Sequence, residues 1–104
     1  MWSFLNNAFL SIVQHRNNSD LLLVRGRIDG DIEAVFPSVK VIELSNADYR
    51  YRAEVTRHEV TSALIQEVQR ITYDNFKNSV EDDLHHEAYM RVWSVMHGTQ
   101  TPEK

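Results

Sequence analysis

The sequence predicts an α+β domain: an antiparallel sheet of four to five strands with two or three helices packed on one face. Two patterns carry this expectation. In the first half, apolar and polar residues alternate with the two-residue period of a half-buried strand, most clearly Tyr49, Tyr51, Ala53 and Val55 against Arg50, Arg52 and Glu54. In the second half the period becomes helical, and Val60, Ala63, Leu64, Val68 and Ile71 fall on one stripe. Strands in succession followed by helices in succession define the α+β class.

The elements follow in order. Trp2–Leu5 and Ala8–Gln14 are aromatic and β-branched and read as a hairpin. Asn6 and Asn7 between them tolerate the positive φ of a primed two-residue turn. Leu21–Ile28 is the next strand, with Leu22, Val24, Gly26 and Ile28 on one face and Leu21, Leu23, Arg25 and Arg27 on the other. Asp29-Gly30-Asp31 breaks it and starts a short helix, capped by Asp29 or Gly30, that Pro37 ends. Val39–Leu44 is a third strand, Ser45–Asp48 a turn, and Tyr49–Val55 the clearest strand of the chain. Thr56 and Glu59 have capping-box spacing at the head of the long helix. Thr72–Glu81 reads as a separate short helix with Tyr73, Phe76 and Val80 on one side. The last helix opens at Asp82-Asp83 and stops at Gly98.

Length and composition bound the rest. The chain has 104 residues, 42% hydrophobic and 25% charged, which is ordinary globular usage in a single-domain length. We expect one globular domain over 1–98 and a flexible tail over 99–104. The absence of cysteine excludes disulfides, thiolate metal sites and a cysteine nucleophile. No apolar run approaches the roughly 18 residues of a membrane span, and Met1-Trp2-Ser3-Phe4-Leu5 lacks the basic start of a secretory signal. The expected location is cytoplasmic, without membrane contact.

The net charge of -4 is unevenly spread. Residues 1–52 carry six basic and six acidic side chains, whereas residues 53–104 carry five and nine, so the helical half holds the whole excess. Arg25, Arg27, Arg50 and Arg52 share the strand register opposite the expected core. If their strands pair, these guanidiniums gather on one sheet face and bind an anion, whether phosphate, nucleic acid or an acidic partner. The plainer reading is a solvated face on which Glu43 and Glu54 pair with them. Net acidity weighs against tight nonspecific duplex binding.

Catalytic motifs are missing. There is no Gly-x-Ser-x-Gly elbow and no phosphate-cradling glycine loop. Arg25-Gly26-Arg27-Ile28-Asp29-Gly30 faintly resembles the strand-loop of acylphosphatases, but that family's loop is uncharged; here Asp29 and Asp31 would repel the anion, so the activity is not expected. His85 and His86 are adjacent and diverge on a helix, and position 90 is Met, so a metal site would need ligands from elsewhere, such as His58 or Glu59. An acidic helix start with histidines at the surface is the expectation there, with no metal and no cofactor. Tyr73, Asp74, Asn75 and Lys77, with His58 or His97, form the one constellation for an enzyme, in which Asp74 or a histidine serves as base and Lys77 stabilises an anion. The plainer reading of that segment is an N-capping turn with buried aromatics. Tyr49 and Tyr51 suit base stacking only if their face is open, and their alternation with arginine places them in the core instead. Trp2, Phe4 and Phe9 either staple the sheet or present an edge through which a homodimer forms.

Four segments together carry a resemblance: Met1-Trp2-Ser3-Phe4 with Ala8–Val13, Leu23-Val24-Arg25-Gly26-Arg27, Ala47–Arg52, and Tyr73-Asp74-Asn75-Phe76-Lys77 followed by Val92-Trp93-Ser94-Val95-Met96. They are similar to a family of small uncharacterised bacterial proteins, over about residues 1–97. The resemblance implies a compact cytoplasmic domain with Tyr73, Asn75, Phe76, Lys77 and Trp93 as recurrent features, and it implies no activity. The segment between Val80 and Tyr89 is short beside that family, as in a trimmed, phage-borne copy.

The function read from the sequence is therefore a non-catalytic binding module acting through protein or anionic-ligand contact. Arg25, Arg27, Arg50, Arg52, Tyr73, Asn75 and Lys77 are its candidate binding residues. One version is a phage or mobile-element inhibitor of a host defence factor. The alternative is an enzyme of undescribed type at Tyr73, Asp74, Asn75 and Lys77.

Overall fold

The computed structural model describes residues 1–100. The fold is α+β. Strands β1 (Trp2–Leu5), β2 (Ala8–Gln14), β3 (Leu21–Gly26), β4 (Ile42–Glu43) and β5 (Tyr51–Thr56) form one sheet in the order β1-β2-β3-β5-β4, antiparallel throughout. Helices α1 (Asp31–Val35), α2 (Arg57–Gln69), α3 (Phe76–Ser79) and α4 (Asp83–His97) complete it. Of the tail expected over 99–104, residues 101–104 lie outside the described residues. Thr99 and Gln100 turn back on the end of α4 through amide bonds to the Met96 and His97 carbonyls.

The core occupies one sheet face. Leu10, Ile12, Val24, Ala53 and Val55 supply it from the strands, Ile32 and Phe36 from α1 and the residue after it, and Val60 from α2. These side chains alternate with outward ones, as the strand period requires. Thr56 accepts a hydrogen bond from the Glu59 amide at 3.1 Å, so half of the expected capping box forms at the head of α2. Val60 is buried, but Val68 and Ile71 further along the stripe are exposed.

The opposite face is partly covered: Ser11 is buried there and Phe4, Phe9, Arg25 and Arg52 are half-buried, whereas Trp2 and Glu54 are exposed. Register places Trp2 opposite Ser11, Ser11 opposite Arg25, and Arg25 opposite Arg52, so these four residues form one row across β1, β2, β3 and β5. Phe4 pairs with Phe9 in the next row that shares this face. Helix α4 meets the face only at this aromatic end, where Tyr89 lies edge-on to Phe4 with ring centroids 5.4 Å apart.

Several elements are shorter than the sequence predicts, each for a local reason. Strand β3 stops at Gly26 because α1 closes on it: a Cβ there would stand 3.5 Å from Ile32 Cγ1. Strand β4 is two residues long, and β5 starts at Tyr51 rather than Tyr49. Helix α3 is a single turn, Phe76–Ser79, with Asn75 as its cap. The Asn6-Asn7 turn closes without positive φ, which among the described residues no residue other than glycine adopts.

Among the described residues Gly30 is the one left-handed residue, at φ 95°, and it caps α1 through its backbone alone. Nothing lies within 4 Å of where its Cβ would be, so an alanine there meets only backbone strain. Gly30→Ala should lower stability by about 1–2 kcal/mol, read as a lower urea midpoint with an unchanged slope.

Candidate functional site

The four expected arginines divide. Arg25 and Arg52 face each other across β3 and β5. The Arg25 guanidinium donates to Ser11 Oγ at 2.7 Å, and Arg52 Nε donates to the Tyr49 carbonyl at 3.3 Å. Arg27 joins them through Tyr49, over whose ring Arg25 and Arg27 lie 4.4 and 4.2 Å from the centroid. Tyr49 is buried, as its alternation predicts, but outside the main apolar cluster and beneath these cations. Arg50 stands apart, paired with Glu43 at 2.6 Å, which holds its guanidinium above the ordinary value through that hydrogen bond.

Counter-ions are distributed unequally. Arg27 pairs with Asp48 at 3.2 Å, and Glu54 is held by His15 at 3.2 Å. Among the described residues no carboxylate lies within ion-pair distance of Arg25 or Arg52. Like charges directly opposite one another across strands are destabilising unless something neutralises them. Arg25 Nε is also buried without a hydrogen-bond partner.

At the other end of the same face is a feature the sequence reading placed on the surface. His85 is buried, not exposed. Its ring bridges two carboxylates: Nε2 meets Asp31 at 2.8 Å and Nδ1 meets Asp82 at 2.7 Å. Asp31 is buried as well, and it accepts from the Phe9 amide at 2.9 Å. That amide would have joined the ladder to β3, which has already ended at Gly26. Asp82 caps α4 by accepting from the His85 amide at 3.0 Å. Burial pushes the His85 pKa down, but the bonds to both carboxylates outweigh it and the net direction is up. The same contacts, led by the His85 amide, hold Asp82 below the usual carboxylate range.

A cavity of about 290 Å³ opens over this clamp. Trp2, Phe4, Phe9, Ile28, Ala88 and Val92 give it apolar walls, and Arg27, Asp31, His85 and Tyr89 also border it. Trp2 and Phe4 each pack against Phe9, at ring separations of 6.2 and 4.7 Å. The Tyr89 hydroxyl is buried and has no partner. Burial, then Asp31 and Asp82, push this phenol far above its ordinary pKa, so it stays protonated and remains a donor.

The Tyr73–Lys77 segment lies on the other side of Phe4, Tyr89 and Val92, where Asp74, Asn75 and Lys77 line an adjoining cavity of about 390 Å³ that shares those three residues. Asn75 is committed to α3, accepting from the Asn78 amide at 3.2 Å. The Lys77 ammonium lies over the Trp93 ring at 4.8 Å, and His97 stacks on that ring at 5.0 Å. Tyr73 packs on Phe76, and His58 is exposed near the head of α2. Asp74 makes no hydrogen bond or ion pair to Lys77 or to a histidine among the described residues, so no base is joined to its proton partner there.

No family model, curated protein or solved structure matches the chain. Among the described residues no helix is long and apolar enough to cross a membrane, and no group of three or more histidine and carboxylate side chains is arranged to hold a metal ion.

The clamp makes a signed pH prediction. A histidine whose pKa is raised on folding stabilises fully below its unfolded value of about 6.5 and loses that contribution as pH rises through the folded value. Asp82 acts in the reverse sense, and its contribution disappears as pH falls below the carboxylate range. The melting temperature should therefore fall on the alkaline side, and His85→Gln should flatten that limb. His85→Ala, which leaves the Asp31 carboxylate buried without its cation, should cost about 3–5 kcal/mol in urea unfolding.

Proposed function

We propose that the protein is a non-catalytic binding module that takes an anionic ligand on the sheet face that carries Arg25 and Arg52. One observation carries this reading: Arg25 and Arg52 face each other across adjacent strands with no carboxylate at ion-pair distance from either among the described residues. An arrangement that repels itself in the bare protein gains when an anion sits between its members. Ser11 and the Tyr49 carbonyl hold the two guanidiniums, so little ordering is left to be done on binding. Arg27, partly neutralised by Asp48, borders the same patch and adds to its field. Arg50 belongs to the Glu43 pair and is not part of the site. Asn75 Oδ1 caps α3, the Lys77 ammonium lies over an indole ring and Tyr73 packs on Phe76, which supports a structural role there.

Pyrophosphate, followed by amide chemical shifts in ¹H–¹⁵N spectra, tests the reading. Saturable shifts are expected in β3 and β5 around Arg25 and Arg52, weaker at high salt, and absent from the Arg25→Gln/Arg52→Gln double variant. A wild-type spectrum that does not saturate, or a folded double variant that responds as the wild type does, overturns it.

A further inference from the structure

We propose that the anion on Arg25 and Arg52 is the phosphate of a nucleotide whose base occupies the aromatic cavity beside them. The inference rests on the anion-binding reading and extends it to the chemical class of the ligand. The cavity and the guanidiniums lie on one face: Trp2, on the cavity wall, heads the row that runs through Ser11 to Arg25 and Arg52. Strand spacing puts Trp2 about 10 Å from Arg25 across two strand intervals. Arg27 belongs to both ends, bordering the cavity and stacking with Arg25 on Tyr49.

The cavity suits a flat ring. Its volume of about 290 Å³ is at the small end for a ligand site and fits a single planar ring system. Trp2, Phe4 and Phe9 supply aromatic surface, on which any base stacks because every base has a π-face. Polarity fixes the orientation. The histidine clamp gives the inner end two carboxylates against one imidazolium, and the donors of His85 are already spent on them. That end repels phosphate, which is left to the arginines. The Tyr89 hydroxyl at the cavity border is a donor without a partner; it is closed off from solvent, and a base whose ring nitrogens or carbonyl oxygens displace the side chains over it satisfies it. Two sources share this chemistry, a free nucleotide and one residue of a single strand.

Calorimetric titration of the full chain with adenosine monophosphate, ribose 5-phosphate, pyrophosphate and a short oligoadenylate tests the inference. Adenosine monophosphate or the oligoadenylate should bind on the order of ten-fold more tightly than ribose 5-phosphate, the size of one base–aromatic stack. Trp2→Ala should bring that ligand down to the level of ribose 5-phosphate. Tyr89→Phe should weaken it several-fold while leaving the melting temperature no lower, because it removes only an unpaired hydroxyl. Tight binding of the monophosphate identifies a free nucleotide as the source, and tight binding of the oligoadenylate alone identifies a single strand. If pyrophosphate binds but neither base-bearing ligand gains over ribose 5-phosphate, the base site is wrong and the anion site stands. If no anion binds at all, both readings fall.

Discussion

The Asp31 carboxylate holds three distant parts of the chain together. It stands at the first residue of α1, accepts the Phe9 amide where the β2–β3 ladder has run out, and meets His85 of α4, 54 residues away in sequence. A buried carboxylate is costly unless it is paired and hydrogen-bonded. Each condition is met by a different segment, so α1, the sheet and α4 cannot separate without exposing or stranding this charge. Asp82 extends the chain of contacts, since the residue that caps α4 also orients the imidazole. The position of α4 over the aromatic end of the sheet follows, and with it the cavity between α4 and the first hairpin.

Much of the fold was legible because it rests on periods and short-range caps. The first hairpin, the expected sheet and helix order, the Thr56 cap and the Asp82 start all depend on neighbours within a few residues. What the sequence hid depends on contacts between distant segments. Alternation predicts that Tyr49 is buried, as it is, but not that the cations of Arg25 and Arg27 stack on its ring. His85 looked like a surface histidine because its helical neighbourhood is acidic and exposed. A signal was present: Asp82 and His85 have the three-residue spacing of facing side chains, and Asp31 precedes the apolar Ile32 and Phe36. Neither observation shows that the two acids share one ring, which only the tertiary fold can do.

The charge distribution separates the two faces of the sheet by task. Arg27, Arg50 and His15 each have a carboxylate neighbour, which accounts for Asp48, Glu43 and Glu54. The sheet half is neutral in sum, yet this pairing leaves Arg25 and Arg52 as a local positive pair. Net acidity of the chain is therefore a poor guide to what this face attracts. The excess of carboxylates lies in the helical half, and at distances beyond about 8–10 Å physiological salt screens it. Acidity of that kind disfavours a long polyanion laid across the whole molecule and leaves a short one unaffected.

The buried side-chain nitrogen and oxygen atoms without partners among the described residues are Arg25 Nε and the Tyr89 hydroxyl. Native domains contain few such atoms, and each one costs about 1–3 kcal/mol. That is a substantial fraction of the roughly 5–15 kcal/mol by which a small domain is stable. Scattered through the core, they would read as imperfect packing. Here one lies in the guanidinium patch and the other borders the aromatic cavity, at the two ends of the same sheet face. The apolar core on the far side carries no such defect. Both atoms are shut off from solvent, so a ligand reaches them only once the side chains over them shift, and their unused hydrogen-bonding capacity marks where such a shift gains most.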